Sequence, residues 1–369
     1  MQIKQYRSTE DLSAPWPEAD LVLVFAGREA LAAMDYAALS GAFPQGIIVS
    51  VSTAGEILQD SVYDSGLAIT AIDFHKTTLQ TARVAISDHA DSITAGRILV
   101  GQLPAAGLRH VLVFADGSLV NGSDLTKGMN QALPEGVTLS GGLAGDGARF
   151  EQTLVGLNGP AAHGQIVAVG LYGESLSIGY GSVGGWSSFG PERRVTRSQA
   201  NVLYELDGKS ALGLYKQYLG DLAGQLPGSA LLFPLSITVE EHKQPLVRTI
   251  LSIDEGKQSM TFAGNIPEGS YARLMRGNFD SLIDAAGEAA ASSLPGAPQP
   301  ELALLVSCVG RKIVLDQRID EEIERVREVL GPEAVLTGFY SYGEISPLGI
   351  APGCDLHNQT MTITTMREL

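Results

Sequence analysis

The chain has 369 residues, of which 44% are hydrophobic and 18% charged, and its formal net charge is −16 at pH 7. This length is enough for two domains with apolar cores. The negative charge argues against nucleic acid and anionic membranes as partners, because both are bound through basic patches. With two cysteines, no apolar signal segment and no membrane-length apolar run, we expect a reduced, cytoplasmic protein.

The first part of the chain predicts a β-α-β unit. Leu21 to Phe25 is a continuous apolar run, which is typical of a strand covered on both faces. A helical stretch from about Glu29 to Leu39 and a second strand at 46–51 follow. The chain then enters a loop, 52–57, in which small residues precede a glycine and an acid.

The same order of elements recurs further along the chain. Two β-rich runs, 67–74 and 79–87, predict a hairpin before the second copy. The second copy consists of a strand at 110–114, a helix at 124–133 and a strand at 137–140. It ends in a loop at 141–147, where glycine again precedes an acid, and strands are expected at 150–157 and 165–172.

The C-terminal half is expected to repeat the first half, with its elements in a related order, after a glycine-rich stretch. Residues 175–206 predict an antiparallel meander, and the elements expected after it are a strand at 231–235, a hairpin over 247–262 and a long helix at 271–293. A strand at 302–306, an amphipathic helix at 319–330 and a strand at 334–337 follow. The last of these strands leads into the loop 338–347.

We call 52–57, 141–147 and 338–347 the Gly-acid loops. Their similar surroundings predict an internally repeated fold that gathers these loops in one place. The expected class is α/β, with two similar mixed-sheet halves, 1–195 and 196–369, joined by an antiparallel meander.

Several motifs resemble those of one known family. They are STAGEI (52–57), GGLAGDG (141–147), VRTILSID (247–254), FAGNIPEGS (262–270), SCVGR (307–311), GFYSYGEISP (338–347) and LHNQTMTITT (356–365). Over nearly its whole length the chain resembles FIST-domain proteins, with an N region in the first half and a C region in the second. The resemblance implies a sensory input module for a small ligand. Similarity in length to a stand-alone subgroup further implies b-type haem, nitric oxide sensing, and a histidine kinase or cyclic-di-GMP enzyme as partner.

The Gly-acid loops supply most of the candidate ligand-binding residues. Three carboxylates, Glu56, Asp146 and Glu344, could line one pocket as ligand anchors, a cation site or an acid/base pair. Alternatively, each carboxylate caps a nearby helix or bonds the backbone of its own turn. The other candidates are Ser52, Thr53, Gly55, Gly145, Arg311, Tyr340 and Tyr342.

Cys354 and His357 are the candidate ligands of haem iron. The alternative for His357 is a hydrogen bond to the neighbouring backbone. Arg311 could pair with a haem propionate through charge-assisted bonds.

No catalytic motif is present. Gly208-Lys209-Ser210 lacks the earlier glycine of a phosphate-binding loop, and neither a nucleophile elbow nor an H-E-x-x-H helix occurs. The leading hypothesis is therefore a non-catalytic sensory protein. The competing hypotheses are a small-molecule enzyme that uses the Gly-acid loops with a divalent cation, and a passive interaction scaffold.

Overall fold

The computed structural model describes residues 1–12, 14–226, 228–239, 245–294, 296, 299–347 and 353–369. They form three β-α-β units arranged in a ring and one additional antiparallel sheet inserted into the third unit. No helix among the described residues is long and apolar enough to cross a membrane.

The first unit contains the first six strands. Its elements are β1 (Gln2–Tyr6), β2 (Leu21–Gly27), α1 (Arg28–Ala33), α2 (Tyr36–Ala42), β3 (Ile47–Thr53), β4 (Glu56–Leu58), β5 (Ser61–Tyr63) and β6 (Leu67–Asp73). The parallel strands β2 and β3 are almost wholly buried, as the apolar run predicted. Two helices replace the single predicted one because the Asp35 carboxylate caps α2, accepting from the backbone N–H groups of Ala37 and Ala38.

The second unit follows directly. Its elements are β7 (Thr78–Ala85), α3 (Ser92–Gly101), β8 (Leu108–Ala115), α4 (Gly122–Ala132), β9 (Thr138–Leu143), β10 (Val155–Leu157) and β11 (Gln165–Tyr172), with a 3₁₀ turn at Ile86–Asp88. The predicted hairpin over 67–87 is wrong, since β6 pairs with β1 and β2 whereas β7 pairs with β11 in another sheet. Burial explains the difference: β6 is a buried central strand, and β7 is a partly exposed edge strand.

The third unit begins with β12 (Leu176–Val183), after which the chain builds the inserted sheet. The inserted elements are β13 (Ser187–Gln199), β14 (Val202–Leu206), β15 (Lys209–Ser210), α5 (Ala211–Leu219), β16 (Leu235–Thr238), β17 (Leu246–Arg248), β18 (Ile250–Asp254), β19 (Ser259–Phe262) and β20 (Tyr271–Arg276), with 3₁₀ turns at Gly220–Gln225 and Gly228–Leu232. The predicted strand at 231–235 is therefore wrong for most of its length. The inserted sheet packs on α5 around its own core, which includes Met260 and Phe262.

The third unit then resumes. Its remaining elements are α6 (Phe279–Ser292), β21 (Leu302–Cys308), α7 (Val309–Leu315), α8 (Ile319–Leu330), β22 (Val335–Ser341), β23 (Gly343–Ser346), β24 (Asp355–His357) and β25 (Met361–Glu368), with a 3₁₀ turn at Asp316–Arg318. The predicted long helix at 271–293 is wrong in its first turns, which form β20. The mostly alternating burial along β20 suits a strand, and Asn278 caps α6 two residues later.

The three units exchange strands in a closed cycle. The strand that contains or follows the acid of each Gly-acid loop leaves its own sheet and joins the neighbouring one: β4 pairs with β22, β10 with β3, and β23 with β9. The chain then returns, and β6, β11 and β25 pair antiparallel with β2, β8 and β21. The α/β class with mixed sheets is confirmed, and the repetition involves three units. The division at residue 195 stays a prediction.

One phenylalanine from each unit lies at the centre of the ring. The Phe25 and Phe339 rings stack with centroids 4.8 Å apart, and Phe114 lies 6.0 and 6.1 Å from them. All three side chains are fully buried. Burial of such a ring contributes roughly 1.5–3 kcal/mol, and each aromatic pair adds about 0.5–1.5 kcal/mol. This cluster holds together the units that carry the Gly-acid loops.

Candidate functional site

The three Gly-acid loops meet, as the sequence predicted. The backbone N–H of Ala54 donates to the Tyr340 carbonyl over 2.8 Å, and the N–H of Tyr340 donates to the Gly55 carbonyl over 2.8 Å. The Gly145 N–H donates to the Ser52 carbonyl over 2.8 Å, which joins the second loop to the first. The β23–β9 pair joins the third loop to the second. Ligand binding by these residues stays a prediction.

Glu56 is buried within its own turn. Its Oε1 accepts from the Thr53 hydroxyl over 2.5 Å, and its Oε2 accepts from the Gly66 N–H over 3.0 Å. Burial raises the pKa of Glu56 to about 7, against these hydrogen bonds and the nearby Lys312. Lys312 Nζ donates to the Ala54 carbonyl over 2.7 Å, so it covers the first Gly-acid loop.

Asp146 organises the second loop. Its carboxylate accepts from the backbone N–H groups of Phe150 and Gln152 over 2.9 and 3.0 Å, and from Arg28 Nη1 over 3.3 Å. The Tyr342 hydroxyl also donates to it. These bonds fold 146–152 into a turn, so the strand predicted from residue 150 begins only at Val155.

Glu344 is fully buried in the third loop. Its Oε1 accepts from the Ser341 hydroxyl over 2.8 Å, and its Oε2 accepts from the Thr360 hydroxyl over 2.8 Å. Burial raises the pKa of Glu344 to about 8 despite these bonds. Asp146 therefore bonds the backbone of its own turn, which was the alternative interpretation, whereas Glu56 and Glu344 each bond a hydroxyl of their own turn and a group elsewhere in the chain.

Arg311 and Tyr340 belong to a second buried cluster. Arg311 Nη2 lies 2.7 Å from Glu322 Oε2, and Tyr340 donates its hydroxyl to Glu322 Oε1 over 2.5 Å. Arg311 also donates to the carbonyls of Gly184 and Leu282, both over 2.7 Å. Because Arg311 and Glu322 are fully buried and mutually paired, this cluster supports the fold between α6, α7 and α8.

His357 is buried, with both ring nitrogens engaged. Its Nε2 lies 3.0 Å from the Ser346 carbonyl oxygen, which only accepts, so Nε2 carries the proton. Its Nδ1 lies 3.3 Å from the Ser182 hydroxyl. Burial lowers the pKa of His357 to about 4, which keeps the ring neutral.

Cys354 is buried beside Asn130. Its Sγ donates to Asn130 Oδ1 over 3.5 Å, and burial raises the pKa of the thiol. Iron takes a thiolate or an unprotonated imidazole nitrogen. As held here, Cys354 and His357 therefore do not fit axial ligation of haem. No group of three potential metal ligands occurs in the described part of the chain. Haem binding itself stays a prediction.

A cleft of about 500 Å³ lies beside the junction of the loops. Its walls are residues 117–122, which follow β8, the turn 150–151, and the β18–β19 region of the inserted sheet. Leu143 and Leu356 also line it. Of the predicted site residues, Tyr342 lines this cleft.

The cleft has an apolar and aromatic surface. The rings of Phe150 and Tyr342 stack with centroids 4.5 Å apart and planes 20° apart. Leu119, Phe150 and Leu251 are 54%, 42% and 41% exposed, and all three line this one cleft. Exposed apolar surface in a concave site is typical of ligand binding.

Sequence reasoning missed most of this cleft. Residues 117–122 follow a strand end, as Arg28 and Arg311 do. This position after a strand was the feature of the sequence that could have identified them as site residues. Residues 251, 252 and 262–264 belong to two motifs of the family resemblance, and the sequence assigned them no role in a binding site. Asn265 fixes the inserted sheet here, since its side chain bonds Asn121 over 2.9 Å and Asp124 over 2.8 Å.

Comparison with known proteins identifies the family. The FIST N domain model matches residues 20–209, and the FIST C domain model matches residues 211–347. No curated protein matches the chain. Among solved structures, a cyanuric acid hydrolase described as an innovation by structural concatenation is 11% identical with a TM-score of 0.36, over 99% of both chains. A second such hydrolase, from A. caulinodans, is 10% identical with a TM-score of 0.34, over 100% of this chain and 98% of that one. Together, the two domain models cover most of the chain. The chain therefore belongs to the FIST family of small-ligand sensory domains.

Proposed function

We propose that this protein senses a small organic ligand in the cleft beside the Gly-acid loops and passes the bound state to a signalling partner. The main support for the proposal is the position of the cleft between the two family regions. Its lining comes both from the FIST N region, including 117–122, and from the FIST C region, including 251–264 and Tyr342. Its volume of about 500 Å³ suits a small molecule.

A ligand in this cleft would lie next to two sets of hydrogen bonds that join different parts of the structure. One is the hydroxyl bond from Tyr342 to Asp146, which joins two Gly-acid loops. The other is the attachment of the inserted sheet to α4 through Asn265. A ligand that binds one arrangement of these parts more tightly shifts the population toward it. That shift is the signal that we propose.

The family resemblance indicates a class of signalling partner and one candidate ligand. A histidine kinase or a cyclic-di-GMP enzyme is the partner class that the family resemblance implies. Haem with nitric oxide remains one candidate input, with iron bound by a residue other than Cys354 or His357. The competing enzyme hypothesis needs an accessible carboxylate, and Glu56, Asp146 and Glu344 are all fully buried.

A metabolite screen by thermal shift tests the proposal. Leu251→Lys places a long side chain with a positive charge in the cleft, and Leu232→Lys is the matched control, because both leucines are 41% exposed in the inserted region but only Leu251 lines the cleft. We expect at least one compound to raise the Tm of the wild type and Leu232→Lys but not of Leu251→Lys. If no compound stabilises the wild type, or if Leu251→Lys keeps the stabilisation, the cleft is not the sensory site. Turnover of the stabilising compound would favour the enzyme hypothesis instead.

A further inference from the structure

We infer that the ligand of the cleft is an organic cation, an amine or a guanidine with an apolar or aromatic body. This inference rests on the proposed function and comes from comparing the three interfaces of the ring. In each interface, the segment after the first parallel strand of one unit approaches the Gly-acid loop of the next. The strand exchange described above makes the three interfaces comparable.

At the first Gly-acid loop, a lysine fills the interface. Lys312 follows β21, and its Nζ donates to the Ala54 carbonyl over 2.7 Å. The same nitrogen lies 5.8 Å from the centroid of the Tyr340 ring, within the range of a cation–π contact. A cation here therefore contacts both loop backbone and an aromatic ring.

At the second Gly-acid loop, an arginine occupies the interface. Arg28 follows β2 directly, and its Nη1 lies 3.3 Å from Asp146 Oδ2. Two of the three interfaces are thus covered by a basic side chain from the preceding unit.

In the part of the chain that the structure describes, the segment after β8 brings no Lys or Arg to the third interface. The segment after β8, residues 116–121, reads Asp-Gly-Ser-Leu-Val-Asn. Gly117 lies close to the third loop, since a Cβ placed on it would come within 3.1 Å of the Tyr342 ring. The cleft opens beside this segment. The ligand would therefore supply the cation that Lys312 and Arg28 supply elsewhere.

The charged residues around the cleft favour a cationic ligand. No Lys, Arg or His is among the described residues that line it, whereas Glu151 is. Arg28 and Arg149 lie nearby, but they are shared by three acids, Glu29, Asp146 and Glu151. Arg248 is buried behind Leu356 and Gly264, where it donates to the carbonyls of Leu356, Asn265 and Val247.

The start of α4 does not make the cleft an anion site. The Asn121 side chain accepts from the Asp124 N–H over 3.2 Å, and the Asp124 carboxylate adds negative charge to the first turn of the helix. The stacked rings of Phe150 and Tyr342 offer the apolar and cation–π surface that such a ligand needs.

Calorimetry with three matched probes tests this inference. The probes are 2-phenylethylamine, 2-phenylethanol and phenylacetate, which share a ring and chain but carry a cation, a neutral group and an anion. We expect the amine to bind about fivefold or more tightly than the alcohol, with the acid the weakest. Glu151→Gln should reduce the preference for the amine, whereas Glu29→Gln should keep it. Glu29 is the matched control because it pairs with the same Arg28 and does not line the cleft.

The outcomes separate this inference from the proposed function. If the alcohol or the acid binds as tightly as the amine, with binding altered in Leu251→Lys, the cleft is a sensory site but its ligand is not a cation. If Glu151→Gln and Glu29→Gln behave alike, the inference is overturned as well. If neither these probes nor further alkyl and guanidino cations bind, and no screened compound depends on Leu251, both proposals fail.

Discussion

The Tyr342 hydroxyl donates a hydrogen bond to Oδ1 of Asp146. This bond joins the third Gly-acid loop to the second, and the Tyr342 ring also lines the cleft. Asp146 in turn accepts from Arg28, which comes from the first unit. Tyr342 therefore connects the proposed ligand site to all three units of the ring.

Removal of the Tyr342 hydroxyl should weaken the junction of the Gly-acid loops but leave the aromatic wall of the cleft in place. Tyr342→Phe keeps the ring stacked on Phe150 and deletes the bond to Asp146. We expect the free energy of unfolding in urea to fall by about 1–2 kcal/mol, because Asp146 keeps its backbone donors. Tyr204→Phe, a change in the inserted sheet away from the junction, is the control. Equal stability of wild type and Tyr342→Phe would show that the bond does not support the ring.

Gly117 should tolerate no side chain. A Cβ on Gly117 would lie 2.0 Å from the Ala144 carbonyl oxygen, a backbone atom that cannot move aside freely. We expect Gly117→Ala to lower the free energy of unfolding by about 3 kcal/mol or more.

Gly41 provides the matched control for Gly117. It lies within α2, and a Cβ there meets nothing within 4 Å. Gly41→Ala should stabilise the protein by roughly 0.5–1 kcal/mol, because alanine favours the helix. If urea unfolding finds the two variants equally stable, the close approach of residue 117 to the second loop is wrong.

The repeated pattern of strand, glycine and acid was sufficient to predict that the Gly-acid loops meet. Each pattern is local, and similar loops in a repeated fold occupy similar places. The cyclic exchange of strands could not be predicted, because it depends on pairs such as Phe339 with Glu56 that are far apart in the sequence.

The cleft was missed for a related reason. Leu251 and Phe262 belong to an inserted sheet whose position depends on long-range bonds from Asn265. The charge and position of Arg311 suggested a ligand-binding residue, but its guanidinium pairs with Glu322. Glu322 lies on α8, and the sequence indicated only that it belongs to an amphipathic helix.

Glu344 should make stability depend on pH. Its pKa is raised to about 8 in the folded protein, against about 4.3 in an unfolded chain. Between these values the folded state holds a proton that the unfolded state releases, so the free energy of unfolding falls as pH rises.

Urea unfolding at pH 6.5 and 8.5 measures this effect. We expect wild type to lose about 1–2 kcal/mol more than Glu344→Gln over this interval. Glu56, whose pKa is raised to about 7, titrates in this interval in both proteins, so its contribution cancels in the comparison. His110 and His357, whose pKa values are lowered to about 3 and about 4, contribute mainly below this interval. Glu151→Gln is the control for removal of an exposed acid. Parallel pH profiles for wild type and Glu344→Gln would contradict burial of an ionisable Glu344.

Cys354 and His357 should not determine the spectrum of any bound haem. Both His357 nitrogens are engaged by Ser346 and Ser182, and Cys354 holds a protonated thiol. We expect protein reconstituted with haem to give the same Soret absorption in wild type, His357→Gln and Cys354→Ser. Loss or displacement of the band in either variant, with the fold confirmed by circular dichroism, would identify that residue as an iron ligand.

Hydrogen exchange followed by mass spectrometry tests the sensory cleft most directly. A ligand found in the thermal-shift screen should slow amide exchange in peptides covering 116–122, 143–152 and 250–264, which form the walls of the cleft. The separate groove between β7 and α3, lined by Arg83, His89 and Gln102, provides the internal comparison and should be unchanged. Protection confined to that groove, or protection of the cleft peptides that persists in Leu251→Lys, would contradict ligand binding in the cleft.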